Sequence, residues 1–172
     1  MGGKLYGGCN HAAGEMGHVV LVPNGIPCSC GRRGCFELYA SAAALVRQTK
    51  EKMGSAKDSA LWQLAGGKLS GVSGRTAFEA MRAGDLAGTE VIREFCTYLA
   101  CGLVNLINLF QPEILCIGGG LSGEGEDLLR PLRAILDRED YARGLAWRTR
   151  LVLAKLGNDA GLVGAALLPL YR

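Results

Sequence analysis

Between Gly14 and Ser41 the chain reads GEMGHVVLVPNGIPCSCGRRGCFELYAS, and no other stretch limits its fold so tightly. Cys28, Cys30 and Cys35 fall within eight residues, punctuated by Gly31 and Gly34, and His18 stands ten positions upstream. One imidazole and three thiolates complete the Cys3His set of a closed tetrahedral zinc site. Glycine lets so short a loop turn back sharply enough to bring three sulfurs onto one ion. Four protein ligands leave no position for a metal-bound water, so a zinc ion here shapes the loop and performs no chemistry. The alternative is three small buried thiols beside an unrelated histidine. A compact Cys-x-Cys-Gly-x-x-Gly-Cys run reads poorly as core packing.

The pattern Gly-Glu-x-Gly-His, then Cys-x-Cys-Gly-x-x-Gly-Cys-x-Glu, resembles the signature of the ROK family of bacterial sugar kinases and sugar-responsive repressors. Within that family it is most similar to the ROK-type glucokinases. The resemblance implies that His18, Cys28, Cys30 and Cys35 hold structural zinc, and that Glu15, His18 and Glu37 touch sugar hydroxyls. An imidazole can do both, giving one nitrogen to the metal and keeping the other for a hydrogen bond. Carboxylates suit a polyol because each oxygen accepts from hydroxyl donors, and such charge-assisted bonds are the stronger ones. The implied fold is α/β and ribonuclease H-like, of the actin-like ATPase and hexokinase superfamily. It would be a carboxy-terminal lobe with an incomplete sheet, long helices and a zinc loop at 18–35.

A chain of 172 residues suits a single domain, 1–172, with a sizeable core. The net charge of +3, from 19 basic and 16 acidic side chains, is too weak and too evenly spread to argue for nucleic acid or a membrane surface. No apolar run reaches the roughly 18 residues that span a bilayer, and the opening MGGKLYGG does not read as a secretion signal. Seven cysteines, an odd number with three committed to metal, point to a reducing cytoplasm and away from a disulfide framework. Cys96, Cys101 and Cys116 lie in apolar surroundings and are expected in the core.

In chain order, residues 1 to 13 read as the end of a hairpin, with a turn at Gly2-Gly3 and a short strand from Lys4 to Tyr6. Asn10 and His11 follow in a loop. Val19 to Val22 is a β-branched strand ended by Pro23-Asn24-Gly25. Phe36 to about Met53 has helical periodicity, which places Glu37 at a helix amino terminus that stabilises its charge. A short helix is expected from Asp58 to Ala65 with Trp62 as a packing anchor. Thr76 and Glu79 have the spacing of a capping box, for a helix stopping at Gly84. Leu86 to Phe110 carries the longest apolar periodicity and predicts a central buried helix of roughly 35 Å, ended by Pro112.

Glu113 to Ile117 (EILCI) is a short apolar run of the kind found in buried parallel strands. It feeds Gly118, Gly119 and Gly120, and a helix follows from Gly125 to Asp137. Strand, glycine turn and helix let backbone N–H groups approach a nucleotide, although plain turns have the same pattern. Glu124, Glu126 and Asp127 crowd the helix start and would repel a triphosphate, so the adenosine end fits better there. Thr149 to Leu156 reads as a strand, and Gly157-Asn158-Asp159 turns into a helix from Ala160 to Tyr171. Gly161, Gly164, Ala165 and Ala166 would leave that helix one flat face for a sheet. CIGGG and LGNDAG resemble the family's nucleotide-side segments.

The resemblance implies ATP-dependent phosphorylation of a hexose, with glucose expected and mannose, fructose, allose or N-acetylglucosamine open. Such chemistry takes Mg2+ with ATP, a phosphate cradle and a carboxylate base. Family kinases carry the base in an Asn-Asp pair ahead of the hairpin, and Asn158-Asp159 is not that pair. The expectation is therefore the carboxy-terminal lobe of a kinase, the amino-terminal lobe absent, with no catalytic base assigned and little activity alone. A sheet edge near Lys4 predicts a homo-oligomer. A sugar-responsive repressor domain and a zinc-stabilised interaction module are the alternatives.

Overall fold

The computed structural model describes residues 5–171. Leu5 to Gly8 run as coil, with Leu5 and Tyr6 exposed and no strand beside them. The Gly2-Gly3 turn and Lys4 of the expected hairpin lie outside the described residues. After a 3-10 turn at Met16–His18, the metal-loop segment leads into two helices, α1 (Glu37–Ala40) and α2 (Ala42–Ser55). The single helix expected from Phe36 to Met53 is broken at Ser41. That residue is extended (φ −95°, ψ 167°), and its hydroxyl accepts from the Ala44 N–H, starting a new helix.

Helix α3 spans Ala60–Leu64 and α4 spans Thr76–Arg82. Trp62 anchors α3 as expected, its indole N–H shared between the Met53 and Ala56 carbonyls. The capping box does not form. Thr76 lies inside the first turn, and its hydroxyl oxygen accepts from the Ser73 N–H, closing a local turn ahead of the helix. Helix α5 runs from Leu86 to Phe110, the span its periodicity predicts. Val91, Ile92, Phe95, Leu99, Leu103 and Ile107 form its buried stripe, packed against α2, α4 and the later helix α6. Burial is one-sided. Cys101, Asn105, Asn108, Leu109 and Phe110 face outward, so Cys101 is not the core residue expected.

A βαβ unit follows: β1 (Ile114–Ile117), α6 (Glu126–Glu139) and β2 (Arg150–Leu153). The strands are parallel, with Leu115 opposite Leu151 and Ile117 opposite Leu153. Leu128 and Leu132 of α6 are fully buried against the shared core. β1 is not the buried strand its sequence suggests. Ile114 is 48% exposed and Cys116 is exposed, because among the described residues the sheet has two strands and helix cover on one side. Helix α7 (Ala160–Leu167) has the expected start but none of its residues is buried, so its small-residue face packs on no sheet here. No helix among the described residues is long and apolar enough to cross a membrane.

Asp85 ties two helix starts together. Its carboxylate accepts from the Gly88 N–H (2.7 Å), the Ala60 N–H (3.0 Å) and the Ser59 hydroxyl (2.9 Å). Burial opposes its ionisation, yet these donors outweigh burial and hold the carboxyl below its ordinary range. The unfolded value is about 3.9, so this contribution is fully present above that pH and is lost as pH falls through the lower folded value. Asp85→Ala should cost about 1–3 kcal/mol, read as a lower urea midpoint at unchanged slope. The variant should also show a shallower loss of stability in acid than the parent.

Candidate functional site

The metal-loop segment is held by single main-chain bonds in place of a ladder. Val20 and Cys35 form one antiparallel bridge and Pro27 and Arg33 another. The strand expected at Val19 to Val22 is absent because the Leu21 and Val22 N–H groups both turn to one acceptor, the Gly34 carbonyl (2.8 and 3.1 Å). Gly34 sits at φ +78°, and a Cβ there would lie 1.7 Å from the Val22 carbonyl oxygen, so only glycine fits. The Cys28 N–H donates to the Arg32 carbonyl (2.8 Å), closing the knuckle that carries Cys28 and Cys30. From α1, the Tyr39 hydroxyl accepts from the Ile26 N–H (2.9 Å) and braces the loop from behind.

The ligand atoms of His18, Cys28, Cys30 and Cys35 all lie within 4.8 Å of one another. Cys30 Sγ and Cys35 Sγ are 3.6 Å apart, as are Cys28 Sγ and His18 Nδ1. A tetrahedron with Zn–S bonds of about 2.3 Å has edges of about 3.5–3.8 Å, so the donor set and its spacing fit such an ion. The thiols differ in exposure. Cys35 is fully buried, Cys28 nearly so, and Cys30 exposed. Desolvation, with the neighbouring thiols Cys30 and Cys28, pushes Cys35 up to about 12. The Arg32 backbone N–H lowers Cys30. Adjacent thiolates repel, and a cation among them is the charge that lets all three ionise together.

Two carboxylates were expected at this loop. Glu37, in the first turn of α1, brings Oε1 to 3.2 Å from Cys28 Sγ and 3.4 Å from His18 Nδ1, with 40% of its side chain exposed. Glu15 is exposed just before the 3-10 turn that carries His18, and its carbonyl accepts from the His18 N–H. Its carboxylate is not one of the groups gathered round Cys28. Asn10 uses its side-chain oxygen to accept from the Ala12 N–H.

Gly118, Gly119 and Gly120 form an exposed turn directly after β1, as expected, but a 3-10 segment (Gly120–Glu124) intervenes before α6. The Ser122 N–H (3.0 Å) and hydroxyl (2.7 Å) both donate to the Gly119 carbonyl. The turn at Gly157–Asp159 lies against this segment. The acids here are not free charges. Glu124 and Asp127 both pair with Arg82 of α4, and Glu126 pairs with Arg133. Sequence reading missed Arg82, whose partners are 42 and 45 residues away. It also missed Phe36, whose ring lies so close to Gly102 of α5 that a Cβ there would come within 2.2 Å of it. The largest open cleft, about 910 Å3 between Gln111–Glu113 and Leu145–Arg150, adjoins neither site.

The ROK family model matches residues 1–171. A glucokinase of Streptomyces coelicolor is 39% identical over 170 residues, covering 96% of this chain and 53% of that protein. A xylose repressor of Bacillus spizizenii is 31% identical over 162 residues, covering 93% of this chain and 37% of that protein. Among solved structures, a ROK family glucokinase from Streptomyces griseus, in complex with glucose and AMPPNP, superposes with a TM-score of 0.86 at 41% identity. That match covers 96% of this chain and 54% of the other. The chain thus spans about half the length of the curated glucokinases it matches. These neighbours place the fold in the actin-like ATPase class.

Zinc in the His18, Cys28, Cys30 and Cys35 tetrahedron predicts one equivalent of metal per chain by atomic emission. Excess chelator, or Cys35→Ser at the fully buried ligand, should lower the unfolding midpoint by roughly 5–15 °C, each kcal/mol being worth about 2–4 °C at this size. A chain that binds no metal and unfolds unchanged in chelator would refute the site.

Proposed function

Because the chain belongs to the ROK family, we propose that it is the carboxy-terminal part of an ATP-dependent hexose kinase, with glucose as the expected sugar. The observation that carries this reading is the position of His18. Its Nδ1 belongs to the Cys3His cluster while Glu37 stands 3.4 Å from it, so one rigid loop sets an imidazole and a carboxylate side by side. His18, Cys28, Cys30 and Cys35 hold zinc, which supplies structural cross-linking of the loop and, being fully ligated by protein, no bound water. Glu15, His18 and Glu37 then face sugar hydroxyls, and the Gly118–Gly120 turn faces the adenosine side of ATP. The glucokinase solved with glucose and AMPPNP supports both ligands.

Fixed donors and acceptors help phosphoryl transfer by holding the attacking hydroxyl in line before the reaction begins. That orientation is the role proposed for this half. Magnesium binding, the phosphate cradle and the proton acceptor are not assigned to residues 1–172. Seven free cysteines fit a reducing cytoplasm. The repressor relative supports a second reading, an effector domain that binds sugar alone. Adenine nucleotide binding separates the two, since an effector domain has no use for it.

Titration calorimetry of the zinc-loaded chain with glucose should give a saturable heat. Glu37→Gln should weaken it on the order of 10- to 100-fold, the worth of a hydrogen bond to a charged group. No heat with glucose or any other hexose would remove the sugar assignment. Association is also proposed. Leu162 (75%), Leu170 (76%) and Trp147 (90%) are exposed, more apolar surface than a lone domain usually shows. Light scattering should report a mass above the 18.1 kDa monomer at high concentration, and Leu162→Glu should reduce it.

A further inference from the structure

Three carboxylates beside a glycine turn make a poor place for a polyphosphate, yet the fold answers them with two guanidinium groups. Glu124 ends the 3-10 segment that begins at Gly120, and only 6% of its side chain is exposed. A carboxylate so buried is costly unless it is paired. Arg82 donates through Nη2 to Glu124 and through Nε to Asp127 (2.6 Å). Its guanidinium also lies 5.9 Å from the centre of the Phe78 ring, which is fully buried in α4. Arg133 takes the third acid, Glu126, at 3.1 Å.

Arg82 thus does two things at once. It cancels charge beside the turn, and it ties the far end of the Gly120–Glu124 segment to the core through α4. Leu121, within the same segment, packs on that core as well. We propose that Arg82 is a positioning residue for the phosphate-bearing part of an adenine nucleotide at Gly118–Gly120, pinning the turn through Glu124 and neutralising Glu124 and Asp127. The inference rests on the nucleotide-side reading given above. It also changes that reading: with the acids paired, the turn is open to the phosphates and not to the adenosine end alone.

The two effects leave different signatures. A purely structural role would weaken adenosine, ADP and ATP alike. Charge cancellation scales with the charge of the ligand and fades as salt screens it. The test is the affinity of the zinc-loaded 172-residue chain for adenosine, ADP and ATP at fixed magnesium, in parent and Arg82→Gln. The expected loss is about tenfold or more for ATP, smaller for ADP and within about twofold for adenosine, and it should shrink between 0.05 and 0.5 M salt on the scale of the Debye length. Because Arg82→Gln strands a buried carboxylate, a second variant carries Glu124→Gln and Asp127→Asn as well. That triple variant should recover most of the ATP affinity. Equal losses for all three ligands, no loss at all, or a triple variant no better than Arg82→Gln would each overturn the proposal. Failure of the parent chain to bind any of the three would instead overturn the nucleotide reading beneath it, before any variant is compared.

Discussion

Three sulfurs and an imidazole nitrogen within 4.8 Å of one another form an arrangement that charge alone would scatter. From Val19 to Cys35 the chain has no helix and no ladder to oppose that tendency, only two isolated bridges and a few main-chain bonds. A segment with so few bonds per residue does not recover the entropy lost on ordering it. A cation at the centre changes the balance, turning mutual repulsion into a cross-link among positions 18, 28, 30 and 35. The loop is then as rigid as the core it rests on.

The link to that core is short. Phe36 and Glu37 directly follow the last sulfur ligand. Phe36 lies flat on α5 at Gly102, where even a methyl group would collide with the ring, and Glu37 turns back to Cys28 and His18. Two consecutive residues therefore fix the loop to the longest helix and aim a carboxylate at its metal cluster. Tyr39 adds a third tie through the Ile26 N–H and stacks near Tyr98 of α5, ring centres 5.0 Å apart. Packing energy from α5 is in this way converted into positional precision at an exposed site, which binding groups need.

What the sequence disclosed follows from how local each signal is. The metal ligands sit within eighteen residues, and α5 announces itself through Asp85 as cap, a long apolar period and Pro112 as stop, so both were legible. Ser41 looked like one more helical residue, because nothing in the periodicity marks a hydroxyl that will cap the next helix. Thr76 matched a capping box by spacing, but Ser73 competed for the same hydroxyl. The acids at the start of α6 were read as repulsive from their neighbours in sequence, and their sign was reversed by an arginine 42 residues away. Local pattern fixes which residues carry charge; only the fold decides whether that charge is spent.

Burial is where the readings and the structure part most widely, and the direction of the difference is informative. β1 and α7 have the composition of buried elements, yet Ile114, Leu162, Val163, Leu167, Leu168 and Leu170 are substantially exposed. Covering a leucine or valine is worth about 1.5–3 kcal/mol, so the apolar residues from 162 to 170 alone represent on the order of 10 kcal/mol. That rivals the whole net stability of an ordinary domain, about 5–15 kcal/mol. An apolar pattern records the burial a segment was built for, in whatever body completes it. The relatives that share this pattern are about twice as long. The surface from β1 to α7 thus has the character of an interior: what covers it governs the stability of this half as strongly as anything within it.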